Sequence, residues 1–198
     1  MEKFAFILHP LSLEDMEHLS PLMRYIPNPI IEACLKMKKP FKVSHITGIK
    51  SPYAEAEGWF IGCPLTAKQM VELPEEFVMD RIIESGKVAQ ELGAKIVGLG
   101  AFTSIVGDAG ITVAKNLDIA VTSGNSYTVA TAIQGTKQAA RMMGKDLKEC
   151  RAVVVGATGS IGAASVRLLA KEVKHITLVA RHMGPLEELA QELIEQNH

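Results

Sequence analysis

The run Arg151-Ala-Val-Val-Val-Gly156-Ala-Thr-Gly159-Ser-Ile-Gly162 constrains this chain more than any other stretch. An apolar, β-branched strand runs directly into a glycine turn, and a helical pattern follows through Lys171. Continuous apolar strands of this kind belong to parallel sheets covered on both faces. Glycines at such a strand-to-helix turn let backbone come close to an anion, while the helix N-terminus aims unpaired amides at it. The spacing is GxxGxxG rather than GxGxxG, a variant of the dinucleotide turn. Gly156, Ala157, Thr158, Gly159, Ser160, Ile161 and Gly162 are therefore the candidate pyrophosphate cradle, with Thr158 or Ser160 available as a hydroxyl donor. A turn that merely needs small residues is the plain alternative.

The rest of the chain alternates strand and helix signals. Lys3 to Leu8 reads as a buried strand, and Ser12 followed by Asp15 opens a helix that continues to Met23. A short helix follows Pro29, and strands are expected at Lys42 to Ile49 and Gly58 to Cys63, on either side of the Ser51-Pro52 turn. Pro74 starts a long amphipathic helix to Leu92, with Phe77, Ile82, Ile83, Val88 and Leu92 turned inward. Lys95 to Ala101, Asp108 to Leu117, Ile119 to Thr122 and Ser126 to Met143 follow as strand, helix, strand and helix. After the glycine turn come a strand from His175 to Arg181 and a helix from Pro185 to Gln196. This is an α/β chain with parallel strands. The charged linker near residue 147 divides it into an N-terminal α/β domain, 1–147, and the first βαβα of an NAD(P)-binding Rossmann fold, 148–198.

Composition narrows the partners. With 198 residues, 47% of them hydrophobic, a chain can bury roughly 70% of its unfolded surface without a metal or disulfide staple. Cys34, Cys63 and Cys150 stand apart with no CxxC pair, and no histidine pattern suits a metal, so neither a disulfide framework nor a metal site is expected. The 21 basic and 22 acidic side chains balance, and residues 151–198 carry five of each, so no basic segment suggests nucleic acid. Every apolar run falls short of the roughly 20 residues that a membrane span requires. The start Met1-Glu-Lys-Phe-Ala-Phe-Ile-Leu does not read as a signal peptide, and a reducing cytoplasm is the expected location.

The end of the second Rossmann strand bears on the nucleotide. NAD sites place an acid about 20 residues after the glycine turn, whereas an Arg suits a 2′-phosphate. Arg181 stands 19 residues after Gly162, with no carboxylate between Glu172 and Glu187, so NADP(H) is the expected cofactor. Arg181 would take the 2′-phosphate, and His182 could assist. A second glycine-bearing stretch, Gly98-Leu-Gly100-Ala-Phe-Thr-Ser-Ile-Val-Gly107, lacks glycine at position 103. Together with Thr122-Ser-Gly-Asn-Ser-Tyr-Thr128 it reads instead as a substrate cleft at the carboxyl edge of a parallel sheet. Its candidate residues are Thr103, Ser104, Asn125, Ser126 and Thr128, each of which could equally cap a helix. His9 reads as structural, and the three cysteines as inert thiols.

Leu99-Gly-Ala-Phe-Thr-Ser-Ile, Thr122-Ser-Gly-Asn-Ser-Tyr-Thr and Val153-Val-Val-Gly-Ala-Thr-Gly-Ser-Ile-Gly, followed by Leu178-Val-Ala-Arg, resemble the long-chain fatty acyl-[acyl-carrier-protein] reductase family. The likeness extends to predicted NADP-dependent dehydrogenases of shikimate or amino-acid type, and it is strongest over residues 80–182. It implies an α/β domain packed on an NADPH-binding Rossmann domain, with an acyl carrier protein or acyl-CoA thioester as the partner. In that family a cysteine takes the acyl group and hydride from NADPH releases an aldehyde. That cysteine belongs to a later region, so none of the present three inherits the role and no catalytic residue is assigned. A matching Lys and Asp pair for the dehydrogenase alternative is absent. A complete Rossmann domain needs six strands, and residues 151–198 offer two. The expectation is a fragment of a longer reductase, or a homo-oligomer in which another chain covers the open sheet edge. A non-catalytic nucleotide-binding module is the remaining alternative.

Overall fold

β1 (Glu2–Leu8) lies in the middle of a five-stranded sheet of order β2-β3-β1-β4-β5. A computed structural model describes residues 2–15 and 24–196; of the helix expected from Ser12 to Met23, the part from residue 16 onward lies outside the described residues. β1 pairs in parallel with β3 (Glu55–Gly62) on one side and β4 (Ile96–Leu99) on the other, and β5 (Ala120–Thr122) continues in parallel beyond β4. β2 (Phe41–Lys50) is the exception to the all-parallel expectation and runs antiparallel to β3. The reason is the connection: residues 51–54 form a tight turn held by Ser51 Oγ, which accepts from the amides of Tyr53 and Ala54. So short a link can only join antiparallel neighbours.

Strand alternation decides which face is buried. Ala5 and Ile7 of β1 join Trp59 and Ile61 of β3 and Val97 and Leu99 of β4 in the main core. Helix α1 (Asn28–Met37) is followed by α2 (Ala67–Glu72) and α3 (Glu75–Glu91). α3 presses Val78, Met79, Ile82 and Ala89 into that core; burying an aliphatic side chain of this size contributes about 1.5–3 kcal/mol. α2 was not legible in the strand-helix alternation, although its capping box is in the sequence: Thr66 Oγ1 accepts from Gln69 N, and the Gln69 side chain accepts from Thr66 N. The other sheet face carries Phe4 and Phe6 of β1. Phe6 covers Gly98, where a β-carbon would stand 2.5 Å from its ring, and Gly100, where one would meet the Ile7 carbonyl oxygen at 2.7 Å. These two glycines serve sheet packing.

The chain divides after Ser123 into the units Met1–Ser123 and Gly124–His198, earlier than the linker near residue 147. The cause is helix α5 (Asn125–Met142), which follows the short α4 (Ile111–Lys115). Its Val129 and Ile133 pack on Leu169 of α6 (Ser160–Leu169), so α5 belongs to the second unit. In that unit β6 (Arg151–Val155) and β7 (His175–Val179) pair in parallel with Val155 opposite Val179. α7 (Met183–Gln196) adds Leu189 and Leu193 to a small core with Ala157 and Val166. The order β6-α6-β7-α7 is the expected βαβα. Among the described residues, no helix is long and apolar enough to cross a membrane.

Candidate cofactor site

The glycine turn is built between β6 and α6. Gly156 has φ +78°, a left-handed conformation that costs an ordinary L-residue roughly 1–2 kcal/mol. Its amide donates to Val179 O at 2.8 Å, and the Ala157 amide donates to the same oxygen at 3.0 Å. Ala157 is fully buried beneath the turn. Gly159 N closes the turn on Gly156 O at 3.0 Å. Gly162 is the packing glycine: a β-carbon there would lie 2.0 Å from Gly156 O and 2.8 Å from its carbonyl carbon. Backbone of α6 thus touches backbone of the turn, which a side chain would forbid. Position 159 is less demanding, since a β-carbon would stand 3.4 Å from Gly156 O.

α6 begins at Ser160 with no side-chain cap. The first-turn amides of such a helix have no intrahelical acceptor and carry the positive end of its dipole. Thr158, Ser160 and Ile161 are exposed beside them. Arg181 is also exposed and follows Val179 by two residues. Because Val179 accepts from both Gly156 and Ala157, Arg181 leaves the same carboxyl edge of the β6–β7 pair as the glycine turn. The 19-residue spacing in sequence is resolved into adjacency at one edge.

The five cleft candidates are divided between the two units. Asn125 is the first residue of α5, where Gly124 at φ +74° holds the N-cap position and no side chain caps the helix. Instead of capping, Asn125 Nδ2 donates to Ser160 Oγ at 2.9 Å. Ser126 is exposed, and Thr128 Oγ1 donates back to Gly124 O at 3.1 Å. Thr103 and Ser104 lie in the first unit on the 3-10 turn Ala101–Ser104. Thr103 is 1% exposed and its hydroxyl donates to Gly100 O at 2.8 Å; Ser104 Oγ donates to Ala101 O at 2.7 Å. Both hydroxyls serve the turn they stand on.

That turn has an anchor from β1. His9 Nε2 accepts from the Phe102 amide at 3.1 Å, and its Nδ1 lies 3.0 Å from Pro10 O. The imidazole is thereby fixed as the tautomer that donates from Nδ1. The turn it holds includes Ala101 at φ +48°, an uncommon conformation for alanine. Cys63 follows β3 and is buried, and its burial pushes the thiol pKa up to about 11 against the lowering effects of Ser85 and Arg81. A thiol so protonated is a poor nucleophile. Among the described residues, no group of three His, Cys, Asp or Glu side chains could hold a metal.

No family model matches the chain. It is 31% identical over 209 aligned positions to the long-chain acyl-[acyl-carrier-protein] reductase of Synechococcus elongatus, a match covering 96% of this chain and 59% of that protein. Over 180 residues it is 30% identical to the aminotransferase PigE of a Serratia species, covering 84% of this chain and 20% of that protein. A crystal structure of an aspartate racemase homologue from Pyrococcus horikoshii overlaps 96% of this chain and 69% of its own, with a TM-score of 0.40 and 12% identity. The chain is thus distantly similar to both curated relatives across most of its own length, and spans about three-fifths of one and one-fifth of the other.

Proposed function

We propose that this chain carries the NADP(H)-binding part of an oxidoreductase that reduces an acyl thioester. The observation that carries the reading is the contact of α6 with the glycine turn at Gly162, next to an uncapped helix start and an arginine at the same strand edge. The close packing of α6 on the turn sets the helix N-terminus at the end of β6, where a pyrophosphate would lie. The first-turn amides at Ser160, Ile161 and Gly162 would take the pyrophosphate oxygens. Ser160 would donate its hydroxyl proton to the same group, since its oxygen already accepts from Asn125. The Arg181 guanidinium would pair with the 2′-phosphate, a doubly hydrogen-bonded geometry that favours Arg over Lys. When bound, the cofactor supplies hydride.

The acyl half of the reading is supported by the similarity to the reductase, whose name specifies a long-chain acyl carrier-protein substrate. An acyl carrier protein or acyl-CoA thioester is accordingly the proposed partner. The match to the aminotransferase reaches one-fifth of that protein, so its name need not describe the shared stretch. No residue of this chain is assigned to the chemical step. Incubation with NADPH and a long-chain acyl thioester tests the whole reading: aldehyde formation supports a reductase, whereas NADPH binding without turnover supports a nucleotide-binding module.

A further inference from the structure

Apart from the glycine turn, the first unit contains an apolar recess of about 230 Å³ at the carboxyl ends of β1 and β3. Its walls are Leu8, Leu35, Phe41, Val43 and Pro64, over Gly62. The register explains the arrangement: Leu8 and Phe41 both pair with Gly62, and with no side chain at that position Phe41 and Val43 close over it and form the floor of the recess. The space exceeds the 150 Å³ or so that admits benzene and falls below the 300 Å³ or more of a site for a drug-sized molecule. A segment of a single chain fits these bounds.

Apart from Lys38, the His9 and Asp15 side chains that line the recess are already engaged. His9 is tied to Phe102 and Pro10, and Asp15 Oδ2 accepts from the amides of Leu11 and Ser12. An occupant with a peptide backbone would have its own polar groups stranded here, whereas a hydrocarbon has none. Around the recess lysines outnumber carboxylates: Asp15, held by the Leu11 and Ser12 amides, is the acidic side chain among its lining residues. Between Glu32 and Glu55 the chain has five lysines and no carboxylate. Lys38, which lines the recess, lies with its Nζ 4.0 Å from the centre of the Phe41 ring and has no carboxylate partner among the described residues.

We propose that this recess seats the alkyl chain of an anionic amphiphile, with Lys38 pairing to its head group. The site rests on the acyl half of the function proposed above and gives that chain a location. A fatty carboxylate and the phosphate-bearing thioester of coenzyme A share the required chemistry of an unbranched chain with a negative head.

The test is calorimetric titration of the 198-residue protein with decanoate, decanoyl-CoA, acetate and coenzyme A. Decanoate or decanoyl-CoA should bind saturably, and the tighter of the two identifies the head group. Acetate and coenzyme A should bind at least tenfold more weakly. Val43→Trp, at a half-exposed position of β2 where an aromatic residue suits a strand, should fill the recess and weaken binding at least tenfold. Lys38→Glu, on the surface, should weaken it several-fold and remains informative if the tryptophan variant does not fold. NADPH titration of the same samples separates the two proposals: it should be unchanged in both variants. Absence of saturable binding by either decanoyl ligand, or wild-type affinity in both variants, would overturn the alkyl site and leave the cofactor reading standing.

Discussion

Asn125 Nδ2 donates to Ser160 Oγ over 2.9 Å, joining the first residue of α5 to the first residue of α6 across 35 positions of sequence. The amide occupies a lone pair of the hydroxyl and leaves its proton free for an outside acceptor. Asn125→Ala and Ser160→Ala should therefore each weaken NADPH binding roughly three- to tenfold, with a coupling between them of about 0.5–1 kcal/mol. A double-mutant cycle read by NADPH titration measures it, and strict additivity would show that the two side chains act independently.

Gly162→Ala and Gly159→Ala should separate sharply. The first places a β-carbon 2.0 Å from the Gly156 oxygen, the second one at 3.4 Å. Alanine at 162 forces α6 off the turn, at a cost of about 2–4 kcal/mol for a backbone overlap, and should abolish NADPH binding. Alanine at 159 should fold with near wild-type stability in urea denaturation.

His9→Ala removes the acceptor for the Phe102 amide. The loss should destabilise the first unit by about 1 kcal/mol and accelerate hydrogen exchange at Phe102 and its neighbours in the 101–104 turn. Exchange rates there equal to wild type would mean that the turn holds Ala101 without help from β1.

Cys63 should resist alkylation in the folded protein at pH 8, while the exposed Cys34 reacts. The folded Cys63 pKa of about 11 lies above its ordinary value of 9.0. Its contribution to stability is therefore complete below pH 9 and is lost as pH rises toward 11. Cys63→Ser should flatten that part of the pH–stability curve, as followed by chemical denaturation.

The βαβα of the second unit was legible because three signals agree in one stretch: a β-branched run, glycines at the turn and a helical period after them. The place of Arg181 at the edge of the β6–β7 pair was legible by spacing, since a parallel pair in register carries a strand end to the edge of its neighbour. The partner of Asn125 was not, because a hydrogen bond between two helix starts leaves no local pattern. The packing role of Gly98 and Gly100 was not legible either: they are small to admit the Phe6 ring and the Ile7 carbonyl, which belong to a strand far away in sequence. The linker near residue 147 carries the turn and charge signals of a boundary, yet α5 joins the second unit through Val129 and Ile133. Which neighbour an amphipathic helix chooses is a tertiary matter that its own periodicity does not specify.

Arg181 is proposed to read a 2′-phosphate beside the glycine turn. Titrating wild type and Arg181→Ala with NADPH and NADH tests this most directly. Wild type should bind NADPH at least tenfold more tightly than NADH, and the variant should lose that preference while keeping its NADH affinity. Equal or tighter binding of NADH by wild type, or an unchanged preference in the variant, would contradict it.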